Sequence, residues 1–131
     1  PVTEETSDID AELTETESKA AELQSRIDSA LAQADINILS GELYKLWDDE
    51  LNAIYKDIIS RLDTEEAEAL KKEEREWIRK KDEEARKAAS RYKGGTLEGL
   101  EHTASLAKST RERAYALLDS YGSCLPQEET Q

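Results

Sequence analysis

The stretch that decides the fold is ILSGELYKLWDDELNAIYKDIISRL, residues 38–62. Apolar side chains recur in it at steps of three or four residues, the spacing that places them on one face of an α-helix. The residues of this stripe are Leu39, Leu43, Leu46, Trp47, Leu51, Ile54, Tyr55, Ile58 and Leu62. No proline interrupts the stretch, and Gly41 falls in its first turn. The stretch therefore predicts a long amphipathic helix that packs against a core.

The residues that follow predict a second helix over residues 64–92. Asp63 and Glu66 have the spacing of a capping box, in which each side chain bonds the backbone N–H of the other residue. The apolar stripe of this helix is weaker: Ala67, Leu70, Trp77, Ile78, Ala85, Ala88 and Tyr92. Its charges alternate in sign, which is typical of a solvated face, and Gly94-Gly95 ends it.

One more helix is predicted on each side of this pair. Downstream, Thr96 is placed to cap a helix that Gly122 ends. Its stripe is Leu97, Leu100, Ala104, Ala107, Ala114, Leu117, Leu118 and Tyr121. Upstream, the segment around Asp35 breaks the periodicity and separates an acidic amphipathic helix over residues 8–34. Its narrow stripe, like a coiled-coil seam, could pack on the rest of the chain, extend alone or pair with another copy. That stripe is Leu13, Ala20, Leu23, Ile27, Ala30 and Leu31.

We therefore expect an all-α fold, an antiparallel bundle of three core helices plus a long N-terminal helix. Residues 1–7 are expected to form a flexible acidic leader, residues 36–122 the helical domain and residues 123–131 a disordered tail. No apolar run approaches the roughly 20 residues that span a bilayer, so no transmembrane segment is expected.

The charge of the chain bears on its partners. The 131 residues carry a formal net charge of −13. Nucleic acids and anionic membranes both attract basic surfaces, so neither is expected as a partner. A basic protein partner is compatible with the charge, because opposite fields speed association. The simpler interpretation is that the acidity only keeps the protein soluble.

No catalytic, cofactor or metal site is predicted. His102 is the only histidine, and no glycine-flanked serine accompanies it. Gly99 stands three residues before it, where a di-iron site would need glutamate. Cys124 is the only cysteine and is interpreted as an unpaired thiol. Trp47 and Trp77 lie within helix stripes and are interpreted as core anchors.

Two blocks of sequence carry a resemblance to a known family. The first is YKLWDDELNAIYKDI, residues 44–58, and the second is LKKEEREWIRKKDEEA, residues 70–85. Gly94-Gly95 and then Thr110-Arg111-Glu112-Arg113 follow downstream. In this order the set, over residues 36–121, resembles the LprI-type lysozyme inhibitor domain, a family of small exported bacterial helical proteins. The acidic first helix lies outside the resemblance.

The resemblance implies an exported bacterial binding protein, outside the cell or in its envelope, with lysozyme inhibition as the expected activity. Lysozymes are commonly basic, so an acidic surface offers complementary charge. The rival hypotheses are a structural or assembly module, which uses the N-terminal helix as a coiled-coil arm for self-association, and an envelope protein with another role.

The motif positions are interpreted mainly as architecture. They are Asp48, Leu51, Asn52, Tyr55, Trp77, Asp82, Thr110, Arg111 and Arg113. Asn52 and Asp82 stand close to apolar stripes, so we expect them to hydrogen-bond between helices. We also expect Arg111 or Arg113 to pair with Asp82 or Asp48.

The chain departs from the family pattern in its cysteines. The family usually carries them, whereas this chain has Leu39 or Ser40, Ala85 and Ser105 at the corresponding places. The resemblance thus implies a member without disulfides, whose packing must replace the roughly 2–4 kcal/mol that one such bond contributes. Lys81 stands where the family pattern often has arginine.

Overall fold

The computed structural model describes residues 8–125, which form four α-helices and one short 3₁₀ helix. These are α1 (Ile9–Ser29), α2 (Gln33–Arg61), α3 (Thr64–Ser90), α4 (Leu97–Tyr121) and the 3₁₀ helix Gly122–Cys124. No strand occurs in this part of the chain, and the all-α prediction is confirmed. The leader predicted over residues 1–7 and the tail beyond Leu125 lie outside the described residues.

The last α-helix is the centre of the bundle. α4 packs along both α2 and α3, and α1 lies against α2. The largest fully buried side chains among the described residues all come from α2, α3 and α4: Leu51, Ile54, Ile58, Leu70, Thr110 and Leu117. The predicted stripe of α2 supplies half of this set, so residues 38–62 do contribute to the core as predicted.

The boundary between α1 and α2 differs from the prediction. α2 begins at Gln33, and the chain turns at Ala30–Ala32, where Ala30 and Ala32 are extended. Asp35 does not break a helix; it lies in the first turn of α2, where the helix dipole favours a carboxylate. The helix predicted over residues 8–34 therefore ends at Ser29, and Leu31, predicted in its stripe, is fully exposed in the turn.

The helix caps agree with the sequence at Asp63 and disagree at Thr96. Asp63 Oδ1 accepts a hydrogen bond from Glu66 N at 2.8 Å, and Asp63 N donates to Glu66 Oε1 at 3.4 Å, which completes the predicted capping box. The Thr96 side chain makes no capping bond. Instead, Glu98 Oε1 accepts from Gly94 N at 3.1 Å. Gly94 has a φ of 80°, a conformation that favours glycine.

α1 uses its apolar stripe within the chain. Asp8 caps it by accepting from Ala11 N at 2.6 Å. Its buried residues are Ile9, Leu13, Thr16 and Ala20. Leu23 and Ile27, in its C-terminal half, are only half-buried. The N-terminal half of α1 is therefore fixed more firmly to the bundle than the half that approaches the turn.

The apolar stripes predicted for α3 and α4 are wrong in part. Ile78, Tyr92 and Leu97 are exposed, and Ala89 rather than Ala88 is buried. Two charged residues, Glu74 and Lys81, are buried in α3 instead. They stand between Leu70, Trp77 and Ala85 at helical spacing, which is why they share the inward face.

The chain beyond α4 is ordered further than predicted. Gly122–Cys124 forms the 3₁₀ helix and Leu125 is buried against the core. The Cys124 carbonyl accepts a hydrogen bond from Arg61 Nη1 at 3.3 Å. The prediction that the tail begins at residue 123 is therefore wrong for residues 123–125.

Candidate functional site

A cleft opens between α2 and α3. Five motif residues line it: Asp48, Leu51, Asn52 and Tyr55 from α2, and Trp77 from α3. Its volume is about 360 Å³ and it is open to solvent. The two sequence blocks that carry the family resemblance thus form one surface feature, which we call the α2–α3 cleft.

Lys81 forms part of the wall of the α2–α3 cleft and is itself buried, with 9% of the residue exposed. Its Nζ donates to Tyr44 Oη at 3.3 Å and so joins α3 to α2. The same nitrogen lies 5.0 Å from the centre of the Trp77 ring and 5.7 Å from that of the Tyr44 ring, within the range of cation–π attraction. Among residues 8–125, no carboxylate oxygen lies within 4.0 Å of this nitrogen.

Arg113 of α4 pairs with the carboxylates that α3 presents beside the cleft. Its Nη2 lies 2.8 Å from Glu74 Oε1 and 3.1 Å from Glu73 Oε1, and its Nε donates to Glu74 Oε1 at 2.9 Å. The guanidinium carbon lies 5.8 Å from the centre of the Trp77 ring. Since Glu74 is buried, this pairing avoids the cost of an isolated carboxylate in the core.

Tyr55 contributes a hydroxyl to the same cleft. Burial raises the pKa of Tyr55 above its ordinary value, and the nearby Glu74 carboxylate raises it further. Lys71, Arg75 and Arg113 act in the opposite direction. The Tyr55 hydroxyl therefore keeps its proton at neutral pH and is available as a hydrogen-bond donor.

The other motif arginine fastens α1 to α4. Arg111 Nη2 and Nε donate to Glu17 Oε2 at 2.8 and 3.1 Å, and Tyr115 Oη donates to the same oxygen at 2.5 Å. Burial alone would raise the pKa of Glu17, but the bonds from Tyr115 and Arg111 hold it below its ordinary value. Burial and the bond to Glu17 raise the pKa of Tyr115 to about 12.

Glu50 of α2 is buried beneath α1, with 8% of the residue exposed. Its Oε1 accepts from Thr16 Oγ1 at 3.1 Å. Burial raises the pKa of Glu50 to about 8, and the neighbouring Glu12 and Glu15 carboxyls add to the rise. We call this contact the α1 seam and define it by Thr16, Glu17, Glu50, Arg111 and Tyr115.

The predicted partners of the motif residues are wrong. Arg111 and Arg113 pair with Glu17 and with Glu73 and Glu74, not with Asp48 or Asp82. Asn52 is exposed, and its Nδ2 donates to Asp48 Oδ2 within α2 at 3.4 Å rather than to another helix. Acidic side chains are so frequent in this sequence that helical spacing cannot choose among them.

The remaining motif positions have different places in the fold. Asp82 is half-buried next to Lys81, and within residues 8–125 it makes none of the predicted hydrogen bonds to another helix. Thr110 is fully buried in α4. The two tryptophans also differ: Trp47 is 2% exposed and lies in the core as predicted, whereas Trp77 is only half-buried and packs against the core from the cleft.

Sequence reasoning missed Lys81, Glu74 and Glu50 as members of these sites. Their signal is positional, because each occupies a gap in an apolar stripe where a charge is unexpected.

In residues 8–125, no group of three or more His, Cys, Asp or Glu side chains is arranged to hold a metal ion. His102 lies away from both sites, in an open depression that Arg86 and Glu98 also line. Within that same part of the chain, no helix has both the length and the apolar character to cross a membrane.

The fold is an all-α bundle in which five of the motif residues meet in the α2–α3 cleft. A family model described as "Lysozyme inhibitor LprI" matches residues 24–117, more than half of the 131-residue chain. The chain belongs to this family. The match begins within α1, so the family region reaches further toward the N-terminus than the resemblance over residues 36–121. No curated protein and no solved structure matches the chain.

Proposed function

We propose that the protein is exported by a bacterium and inhibits lysozyme by binding it through the exposed carboxylates of α1 and α2. Membership of the LprI family is the observation that carries this proposal. The distribution of charge supports the choice of surface. α1 contains six acidic and two basic side chains, whereas α3 contains nine acidic and eight basic ones. The acidic excess therefore lies on the α1 side of the molecule.

The acidic surface is defined by exposed carboxylates of the two helices: Asp10, Glu15, Glu22, Asp28, Asp35, Glu42 and Asp49. A basic lysozyme would be drawn to it by complementary fields, which act mainly on the association rate. Salt should weaken this attraction, because the Debye length falls from about 10 Å at 0.1 M to about 3 Å at 1 M.

The assembly hypothesis has less support. A coiled-coil arm needs a free apolar stripe, but Ile9, Leu13 and Ala20 of α1 are buried within the same chain. Leu31 in the α1–α2 turn and Ile38 in α2 are exposed apolar side chains near this arm that a second copy could contact. Sedimentation of the intact protein at several concentrations measures self-association directly.

The test compares two double variants of equal charge change. Glu22→Gln with Glu42→Gln removes two carboxylates from the acidic surface, and Glu65→Gln with Asp119→Asn removes two exposed carboxylates from α3 and α4. We expect the wild-type protein to bind and inhibit lysozyme at low salt. The first variant should associate several-fold more slowly, and the second should resemble the wild type.

Binding rates and cell-wall lysis are measured for lysozymes of several types at low and moderate salt. No binding at micromolar concentration and low salt would eliminate the proposal for the lysozymes tested. Binding without inhibition would leave the family activity unsupported for this chain. If both double variants associate equally slowly, the acidic surface of α1 and α2 is not the contact with lysozyme.

A further inference from the structure

A buried ammonium without a carboxylate partner is the most unusual feature of the α2–α3 cleft. The Lys81 Nζ has three N–H donors, and the one hydrogen bond it makes among the described residues is to Tyr44 Oη at 3.3 Å. The Trp77 and Tyr44 rings attract its charge but accept no conventional hydrogen bond. Lys81 also lines a second, smaller depression on the other side of Trp77. Lys81 therefore borders two depressions that are open to solvent.

A structural link between α3 and α2 does not explain why the buried residue 81 carries a charge. A buried charge costs desolvation energy, and an apolar side chain of similar volume would join α3 to α2 without that cost. Arg113 provides the comparison within this molecule. It lies beside the same Trp77 ring, but Glu73 and Glu74 neutralise it at 3.1 and 2.8 Å. Of these two cations against Trp77, Lys81 is the one that has no carboxylate within 4.0 Å among the described residues.

The charges that line the cleft favour an anion, although the whole chain is acidic. Lys71, Arg75 and Lys81 line it together with two carboxylates, Asp48 and Glu74. Arg113 already pairs with Glu74 at 2.8 Å, and Glu68 pairs with Lys71 at 3.3 Å. Asp48 is therefore the carboxylate that remains against two cations, Arg75 and Lys81. The cleft is thus a local cationic region in a chain with a net charge of −13.

The walls of the cleft indicate what the anion is attached to. Leu51, Tyr55, Trp77 and Ile78 give it apolar and aromatic surface, and its volume of about 360 Å³ accommodates one large side chain. Lys81 is the buried cation of the cleft, and the single negative charge of one carboxylate balances it. A doubly charged phosphate would exceed that charge and meet Asp48. The chemistry therefore fits one carboxylate on an apolar body.

We propose that the α2–α3 cleft binds a carboxylate of a peptide, with Lys81 as the anion-binding residue and Trp77 as the wall against which the neighbouring apolar group packs. The carboxylate is either the C-terminal group of the peptide or an acidic side chain. Tyr55 supplies a hydroxyl donor from the opposite helix. This site is separate from the acidic surface proposed to meet lysozyme, so a ligand here and a basic partner there use opposite charges of the same molecule.

The test uses the wild-type protein and matched probes. The probes are N-acetylphenylalanine, its C-terminal amide, and an amidated acetyl-Phe-Glu peptide whose only carboxylate is the side chain. The readout is the indole N–H signal of Trp77 in ¹H–¹⁵N NMR spectra, identified with Trp77→Phe and compared with that of the buried Trp47. We expect an acid probe to shift the Trp77 signal at millimolar concentration and the neutral amide to leave it in place. The two acid probes distinguish a terminal carboxylate from a side-chain carboxylate.

Two variants then test whether Lys81 provides the charge that binds the acid probe. Lys81→Met should weaken binding of the acid probe at least tenfold, and Lys72→Met, an exposed lysine of the same helix that does not line the cleft, should leave it unchanged. Circular dichroism checks that both variants fold. If Lys81→Met is unfolded, the comparison of acid with amide on the wild type still decides. Equal shifts with acid and amide, no shift with either acid, tighter binding of phenyl phosphate, or full binding by a folded Lys81→Met variant would each overturn the proposal.

Discussion

The α1 seam and the α2–α3 cleft each bury one charged residue without an opposite charge beside it. Glu50 is 8% exposed in the seam, among the carboxyls of Glu12 and Glu15. Lys81 is 9% exposed in the cleft, between two aromatic rings. The raised pKa of Glu50 favours its neutral form. The charge of Lys81 is instead stabilised by two aromatic faces and by the Tyr44 hydroxyl. The stability of the α1 seam therefore depends on pH, whereas the α2–α3 cleft presents a positive charge that a ligand can bind.

The largest difference between the two regions should appear in their tryptophans. Trp47 lies beneath the seam at 2% exposure, with its ring centre 6.4 Å from that of Tyr115. Trp47→Ala should reduce the free energy of unfolding by about 3–5 kcal/mol, because it opens a cavity in the core. Trp77→Ala should cost clearly less, since Trp77 is half-buried at the cleft. Urea denaturation of both variants measures this, and equal losses would show that the cleft is packed like the core.

The second-largest loss of stability is expected at Arg113, the paired cation beside the α2–α3 cleft. Arg113→Met leaves Glu74 buried without its partner and should destabilise the protein by about 3 kcal/mol. Adding Glu74→Gln to this variant should recover part of the loss. Arg79→Met is the control: Arg79 pairs with Glu76 and Glu83 on the exposed face of α3, so little change is expected. A loss in Arg79→Met that matches Arg113→Met would remove the distinction between buried and exposed pairs.

The smallest expected effect is the pH dependence that Glu50 in the α1 seam gives to the free energy of unfolding. The folded-state pKa of Glu50 is raised from 4.5 to about 8. The stabilisation from its neutral form is therefore complete below about pH 4.5 and is lost as the pH rises through 8. Glu50→Gln does not titrate, so its stability relative to the wild type should increase between about pH 4.5 and pH 8 and level off above pH 8. Thermal melts across this range provide the measurement, with the exposed Glu22→Gln as control. A constant difference between Glu50→Gln and wild type would mean that Glu50 does not titrate there.

Periodicity and local chemistry predicted most of the fold. The α2 stripe placed Trp47, Leu51 and Ile54 correctly in the core, because apolar burial follows directly from helical spacing. The Asp63–Glu66 capping box was also predictable, since both partners lie three residues apart. The start of α2 was not, because Ala30–Ala32 contains no turn residue and alanine favours neither a break nor a cap.

The sites were less predictable than the helices. The motif positions of α2 and Trp77 could be chosen from the sequence, and five of them line one cleft. The partners of Arg111 and Arg113 could not, because Glu17 is 94 residues from Arg111 and Glu74 is 39 residues from Arg113. Such pairs depend on which helices become neighbours, and the position of α4 between α2 and α3 is a property of the whole fold.

The central position of α4 has a consequence for synthesis. A ribosome delivers α1, α2 and α3 first, yet the apolar faces of α2 and α3 are both covered by the helix that emerges last. At roughly 5–20 residues per second, the nascent chain carries these faces uncovered for several seconds. During that interval Leu51, Ile54 and Leu70 are available to a chaperone or to another nascent chain. Shortened products that end before Leu97 should therefore aggregate or be degraded, whereas chains that reach Leu125 can close the core.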